Sequence, residues 1–140
     1  MSEIAQAFLW IDTTMLADTA LVAAAVGGTW QGLADDGTLP PYASFDSITN
    51  SDTNTMQAVR LFNRGTFEIK AVGPSNNYAV LVIIANHIDA LFKDVKNVGL
   101  SGGGGVLSCY RESAFSYNEM VNGVQWSHLG GLYHIDLQGS

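Results

Sequence analysis

The sequence predicts an α+β fold: a mostly antiparallel sheet of about four to five strands packed against an N-terminal helix and one long central helix. Three observations lead there. Apolar residues recur at helical spacing near the N-terminus and again, over a longer stretch, in the middle of the chain. A central stretch alternates apolar and polar residues, the mark of a strand wet on one face. Strand-like segments cluster before and after the long helix instead of alternating with helices, which argues against a parallel βαβ sheet. At 140 residues the chain reads as one domain, 1–140, long enough to bury a core without disulfide or metal staples.

Ile4, Ala7, Phe8, Ile11 and Met15 form the first helical stripe and place a helix over about Glu3 to Ala17. Asp18 is an N-cap for a second short helix, ALVAAAV, and Gly27-Gly28 stops it. Thr29-Trp30-Gln31 starts the first strand. Leu33 to Pro41, LADDGTLPP, is a polar loop with Asp-Gly and Pro-Pro turn signals. Tyr42 to Thr49 is a second strand with Ala43, Phe45 and Ile48 as its buried positions, and Asn50 to Thr55, NSDTNT, is a polar tip. Val59 to Ala71 gives the strongest strand, with Leu61, Phe67, Ile69 and Ala71 set against Arg64, Thr66, Glu68 and Lys70.

Pro74 opens the central helix, where its missing N–H costs nothing. Leu81, Ile84, Ala85, Ile88, Leu91, Phe92 and Val95 form its stripe, and Lys93 and Lys96 fall where the helix dipole favours cations. At about 1.5–3 kcal/mol per large buried side chain, this stripe is the largest identifiable contribution to the core. Val80, Ile83 and His87 widen the apolar face sideways, so a second side of this helix needs a partner. Val106 to Phe115 and Val124 to Leu137 read as strands, with Tyr117 to Gly123 as their connection. Leu129, Tyr133, Ile135 and Leu137 share one parity, and Gly130-Gly131 marks a bulge or kink.

Composition narrows the function. Apolar residues make up 47% and charged residues 14%, too apolar for disorder and low in charge for a lone monomer. Six Lys and Arg against thirteen Asp and Glu give −7, without the basic footprint of a nucleic-acid reader. The N-terminus lacks the basic region of a signal peptide, and the longest apolar run, Tyr78 to Ala85, is too short to span a bilayer. A soluble chain made in the cytosol, with no membrane partner, is expected.

No stretch assembles chemistry. Gly99-Leu100-Ser101-Gly102-Gly103 satisfies G-x-S-x-G, but a nucleophile elbow needs a strand before the serine and a helix after it, and here the order is reversed. The glycine run lacks the lysine and following helix of a phosphate loop and reads as a slack connection. His128, His134 and Asp136 would share a strand face as a three-ligand set, except that a kink at Gly130 breaks the register. Glu112 and Glu119, separated by a loop, make no acid/base pair. Cys109, the single cysteine, lies in an apolar run and reads as a small buried hydrophobe. Trp10, Trp30 and Trp126 read as core or interface anchors. No catalytic residue, cofactor or metal is expected.

Three stretches carry a resemblance: MLADTALVAAAVGGTW, RLFNRGTFEIKAVG leading into NNYAVLVIIANHIDALF, and CYRES followed by GLYHIDL. Their order resembles the tail-terminator or tail-completion proteins of long-tailed, siphovirus-type bacteriophages and related prophage elements, from about Ile4 to Leu137. The resemblance implies a non-catalytic structural protein of the virion that forms a homohexameric ring at the head-proximal end of the tail tube, stops tube polymerisation and meets the neck. The implied partners are further copies of the chain, the tail tube protein and a neck or head-completion protein, with DNA passing through the lumen unbound. A neck or head-tail joining protein, and a small hydrolytic or ligand-binding α+β domain, are the alternatives.

Within a ring the expected interface and lumen residues are Leu33, Asp35, Asp36, Asp52, Met56, Val80, Ile83 and His87. The acids would repel DNA phosphates if they faced the channel, and are otherwise ordinary turn residues. Leu33 and Met56 are expected to be exposed and to order against tube or neck proteins.

Overall fold

The computed structural model describes residues 3–54, 60–100 and 104–138. The first stripe forms helix α1 (Glu3–Leu16), with Ala7, Ile11 and Met15 fully buried on the side that a 3.6-residue period aligns. Asp18 caps α2 (Thr19–Ala24), its carboxylate accepting the N–H groups of Ala20 and Leu21 at 3.1 Å each. His87 approaches the same carboxylate at 3.2 Å and ties the cap to the central helix. The backbone hydrogen bond from Leu21, ahead of the His87 contacts, holds the Asp18 carboxyl below its ordinary value of 3.8 despite an opposing push from burial.

Asp18→Ala is therefore expected to cost about 1 kcal/mol in a urea titration at neutral pH. Because the folded-state pKa is depressed, this contribution is present above pH 3.8 and fades as the pH falls through the lower folded value. The stabilities of the parent and the variant should converge in acid.

Strands β1 (Thr29–Gln31), β2 (Tyr42–Asn54), β3 (Arg60–Pro74), β4 (Asp94–Gly99), β5 (Gly105–Val121) and β6 (Val124–Gln138) form one sheet in the order β1-β2-β3-β6-β5-β4. Among the described residues the β1·β2 pair is parallel and the other four pairs are antiparallel. The fold is α+β as expected, but the sheet is mixed and has six strands instead of four to five. Helix α3 (Tyr78–Phe92) follows a short 3-10 turn, Ser75–Asn77, and lies with α1 and α2 over one face of the sheet.

The core fills that gap. Phe8 packs on Phe45 and Phe67, while Phe92 sits between Trp10 and Tyr133 with ring centroids 5.3 and 6.0 Å away. Leu81, Ile84, Ile88 and Phe92 are fully buried along α3, as the stripe required.

Several boundaries differ from the sequence expectation. The central helix ends at Phe92, and Val95 belongs to β4, where it lies opposite Cys109. The open edge of β5 gives β-branched Val95 and Val98 a pleated surface to fit, and that pairing overrides the helical period. The supposed connection Tyr117–Gly123 is strand up to Val121, so only Asn122-Gly123 turns. Their φ values of 51° and 79° are the left-handed pair that a two-residue hairpin needs and that Asn-Gly supplies. Strand β2 likewise runs through the polar tip to Asn54. Ile48, expected inside, is 51% exposed because it sits at a register shift between Ser47 and Thr49. Gly130-Gly131 makes no kink: the β3·β6 ladder continues through Lys70↔Gly130 and Ile69↔Gly131.

Candidate functional site

Strand parity decides what the other face of the sheet carries. With Ala43, Phe45, Phe67, Ile69, Ala71, Tyr133, Ile135 and Leu137 turned to the helices, alternation turns Lys70, Glu68, Thr66, Arg64, His128, His134 and Asp136 the other way. The twisted β5·β6 hairpin adds Tyr110, Glu112, Phe115, Tyr117 and Glu119 to this outer face.

These side chains pair with one another. Tyr117 stacks on His128 at 4.3 Å and 9°, and on Phe115 at 5.8 Å and 20°. Lys70 lies over the Tyr117 ring, donates to its hydroxyl at 2.9 Å and meets Glu68 at 3.4 Å. Burial alone would lower the Lys70 ammonium, but the Tyr117 hydrogen bond and the Glu68 charge outweigh it and hold the pKa above the ordinary lysine value. His128 Nε2 is 2.6 Å from Glu119. Farther along, His134 stacks on Tyr110 at 5.0 Å and places its two ring nitrogens 3.2 Å from Glu112 and 2.8 Å from Asp136. Asp136 also accepts from Ser108 at 3.2 Å and lies 3.8 Å from Arg64.

This arrangement pairs most of its charge locally, while His128 Nδ1 is buried without a hydrogen-bond partner. His128, His134 and Asp136 do share a face, since the expected kink at Gly130 is absent, but each imidazole is turned to a carboxylate of β5 or β6. Among the described residues no group of three or more His, Cys, Asp and Glu side chains is placed to hold a metal ion. Glu112 and Glu119, expected on either side of a loop, lie on one strand and each engages a different histidine. Counting back from Asn122-Gly123 pairs Val121 with Val124 and Tyr117 with His128. That dipeptide was the signal in the sequence for this ladder.

The other expected positions do not converge. Leu33 is 93% exposed, and Asp35 and Asp36 are exposed in the loop between β1 and β2, where the Asp35 carbonyl accepts from the Thr38 N–H and hydroxyl. Asp52 accepts from Asn63 at 3.0 Å on β2. Val80 packs against the core, Ile83 is exposed on α3, and His87 meets the α2 cap. Met56 and Ser101 lie outside the described residues. Around Ser101 the flanking elements are β4 and β5, joined across Leu100 N–H to Gly104 C=O at 3.2 Å, so the helix that a nucleophile elbow demands does not follow.

A groove between α3 and the hairpin is lined by Tyr78, Val82, Ala85 and Leu129. On its wall Asp89 accepts a hydrogen bond from Tyr133 at 3.2 Å and forms an ion pair with Arg111 at 3.3 Å. Burial first, then Asp89, raises the Tyr133 phenol above its ordinary range. Trp10 is buried in the core, whereas Trp30 donates to the Gly27 carbonyl and Trp126 stands against Tyr42.

Cys109 is buried, its Sγ 3.2 Å from the Phe92 carbonyl, and burial pushes its pKa up to about 12. A disulfide reagent at pH 8 should leave it unmodified in the folded chain and react once denaturant is added. Rapid labelling without denaturant would contradict this placement.

The chain matches no known family model and no curated protein sequence. Its fold does recur among solved structures. It superposes on a chain from the virion of a native gene transfer agent particle with a TM-score of 0.72, at 14% identity, covering 92% of both chains. A second solved structure matches with a TM-score of 0.56 at 18% identity, covering 97% of this chain and 93% of the other. At these identities the likeness is one of fold.

Proposed function

We propose that this chain is a structural protein of a phage-type virion: a ring at the head-proximal end of the tail tube that ends tube polymerisation and joins tail to neck. The observation that carries the proposal is the fold it shares over 92% of both chains with a component of a gene transfer agent virion. The internally paired outer face fits a structural role better than a catalytic one, because its histidines and carboxylates are already engaged with each other. Leu33, Leu39 and Val26, at 93%, 71% and 64% exposure, fit a chain that meets other chains. A closed ring requires that one patch meet a different patch on the next copy.

In this reading Asp35, Asp36 and Asp52 contribute negative charge along the DNA path and keep phosphate from adhering. Replacing all three by Asn should then slow DNA ejection, and unchanged ejection would remove that role. The ring itself is tested by native mass spectrometry and negative-stain microscopy of the purified chain, alone and with tail tubes. A ring species, with six copies expected, that caps tube ends supports the proposal. A strict monomer that leaves tube ends uncapped overturns it.

A further inference from the structure

The short outer strands leave two stretches of sheet edge bare. β1 covers β2 only at Ala43–Phe45, and β4 covers β5 only from Gly105 to Tyr110. Among the described residues, β2 from Asp46 to Asn54 and β5 from Arg111 to Val121 therefore have no strand on their outer sides. Edges that remain in water are commonly kept short or guarded by Pro or Lys, because their open N–H and C=O groups template another strand. These two, DSITNSDTN and RESAFSYNEMV, are nine and eleven residues long and contain neither, and their only guards are acidic and Arg side chains and a β-bulge in each, at Ile48 and Glu112.

The two edges are also matched to each other. Successive antiparallel pairings through β3 and β6 make β5 run opposite to β2, the sense that an antiparallel ladder between copies requires. They lie at opposite ends of the sheet. Within one copy Thr49 is level with Tyr110, by way of Thr66 and His134. Residues directly opposite must share a face, and Thr49 and Ser51 share the outer face with Tyr117 and Phe115. Sliding a neighbour's β2 into the bare part of β5 with faces matched sets Tyr117 opposite Thr49, Phe115 opposite Ser51 and Ala114 opposite Asp52.

Glu112 is a bulge, so that register is displaced by six ladder rungs, His134 to His128, relative to the level within one copy. At about 3.4 Å per rung, against about 4.8 Å for each of the four strands β2, β3, β6 and β5 that separate one β2 from the next, the slope is about 47°. Strands in closed barrels tilt by about 35–45°. The diagonal offset of the bare edges is thus close to the stagger of closed barrels, which lets identical copies close by rotation.

We infer that the β5 edge of each copy, centred on Ala114–Tyr117, adds to the β2 edge of the next, centred on Thr49–Asp52, so that one sheet runs continuously around the ring. The occupant of each edge is a second copy of this chain. The inference rests on the ring reading and specifies its contact.

The test is a cysteine pair, Asp52→Cys with Ala114→Cys, in the full chain. Within one copy Asp52 is level with Val106 through Asn63 and Leu137, so position 114 lies three strands and six ladder rungs away, out of disulfide reach. Mild oxidation should convert the monomer band on a non-reducing gel into a ladder ending at the mass of the ring, while each single variant gives none. A ring that persists in native mass spectrometry without a ladder, both for this pair and for the shifted pairs Asn50→Cys with Ala114→Cys and Asp52→Cys with Ser116→Cys, overturns the edge contact and leaves the ring standing. Cross-links that form only to added tube protein overturn it in favour of that partner. A chain that never assembles removes the ring and this contact together.

Discussion

Phe92→Ala is expected to remove about 3–5 kcal/mol of folding free energy, the range for deleting a buried aromatic ring. Phe92 is fully buried at the last turn of α3, edge-on to Trp10 at 85° and to Tyr133 at 66°, so its loss opens a cavity between α1, α3 and β6 at once. The site has little room to collapse. Its carbonyl also takes the Cys109 contact that anchors β5, and Tyr133 is held from the far side by Asp89. Against a total stability of about 5–15 kcal/mol, a loss of this size leaves a marginal or unfolded chain. Urea unfolding followed by tryptophan fluorescence measures it. A loss below 1 kcal/mol would mean that α3 does not bear on the sheet through this ring.

Gly130→Ala is expected to be similarly damaging, on the order of 3 kcal/mol, for a different reason. A Cβ at this position would stand 2.3 Å from the Ile69 carbonyl oxygen and 2.6 Å from the Lys70 Cα. Both are backbone atoms of β3, so no side-chain rotation relieves the overlap, and the strands must separate where the two halves of the sheet meet. The tightness comes from close approach alone, since Gly130 is not among the glycines with positive φ. Amide exchange would locate the damage: protection should fall along β3 and β6 and persist longer in the distal β5·β6 hairpin. Uniform wild-type protection would show that the ladder tolerates the methyl group.

The elements set by strong local pattern were legible. Leu81, Ile84, Ile88 and Phe92 lie where the period placed them, and Asp18 caps α2 as its position before an apolar run suggested. The failures share a cause. β4, the far half of β2 and the distal hairpin have little or no core behind them, so their residues carry no alternation, and their strand form comes from neighbours distant in sequence. Val95 fitted the helical stripe as well as it fits an edge strand. At Gly130 glycine serves close approach to β3 and not backbone freedom, and the sequence does not distinguish the two. The outer face was missed because its members, Lys70, Tyr117, His128 and Glu119, come from three strands whose alignment depends on one turn. Asn122-Gly123 names that turn, while the polar composition of the stretch before it mimics a loop.

The sheet order has a kinetic meaning as well. β6 is synthesised after every other strand and yet lies next to β3, in the interior of the sheet. While the chain is leaving the ribosome, the β2·β3 hairpin and the β4·β5 pair can form and are linked through α3, but lack the strand ladder that joins them. The sheet is two unjoined halves until β6 arrives. Such late, long-range closure predicts slow folding for its size and a dependence on chaperones during synthesis.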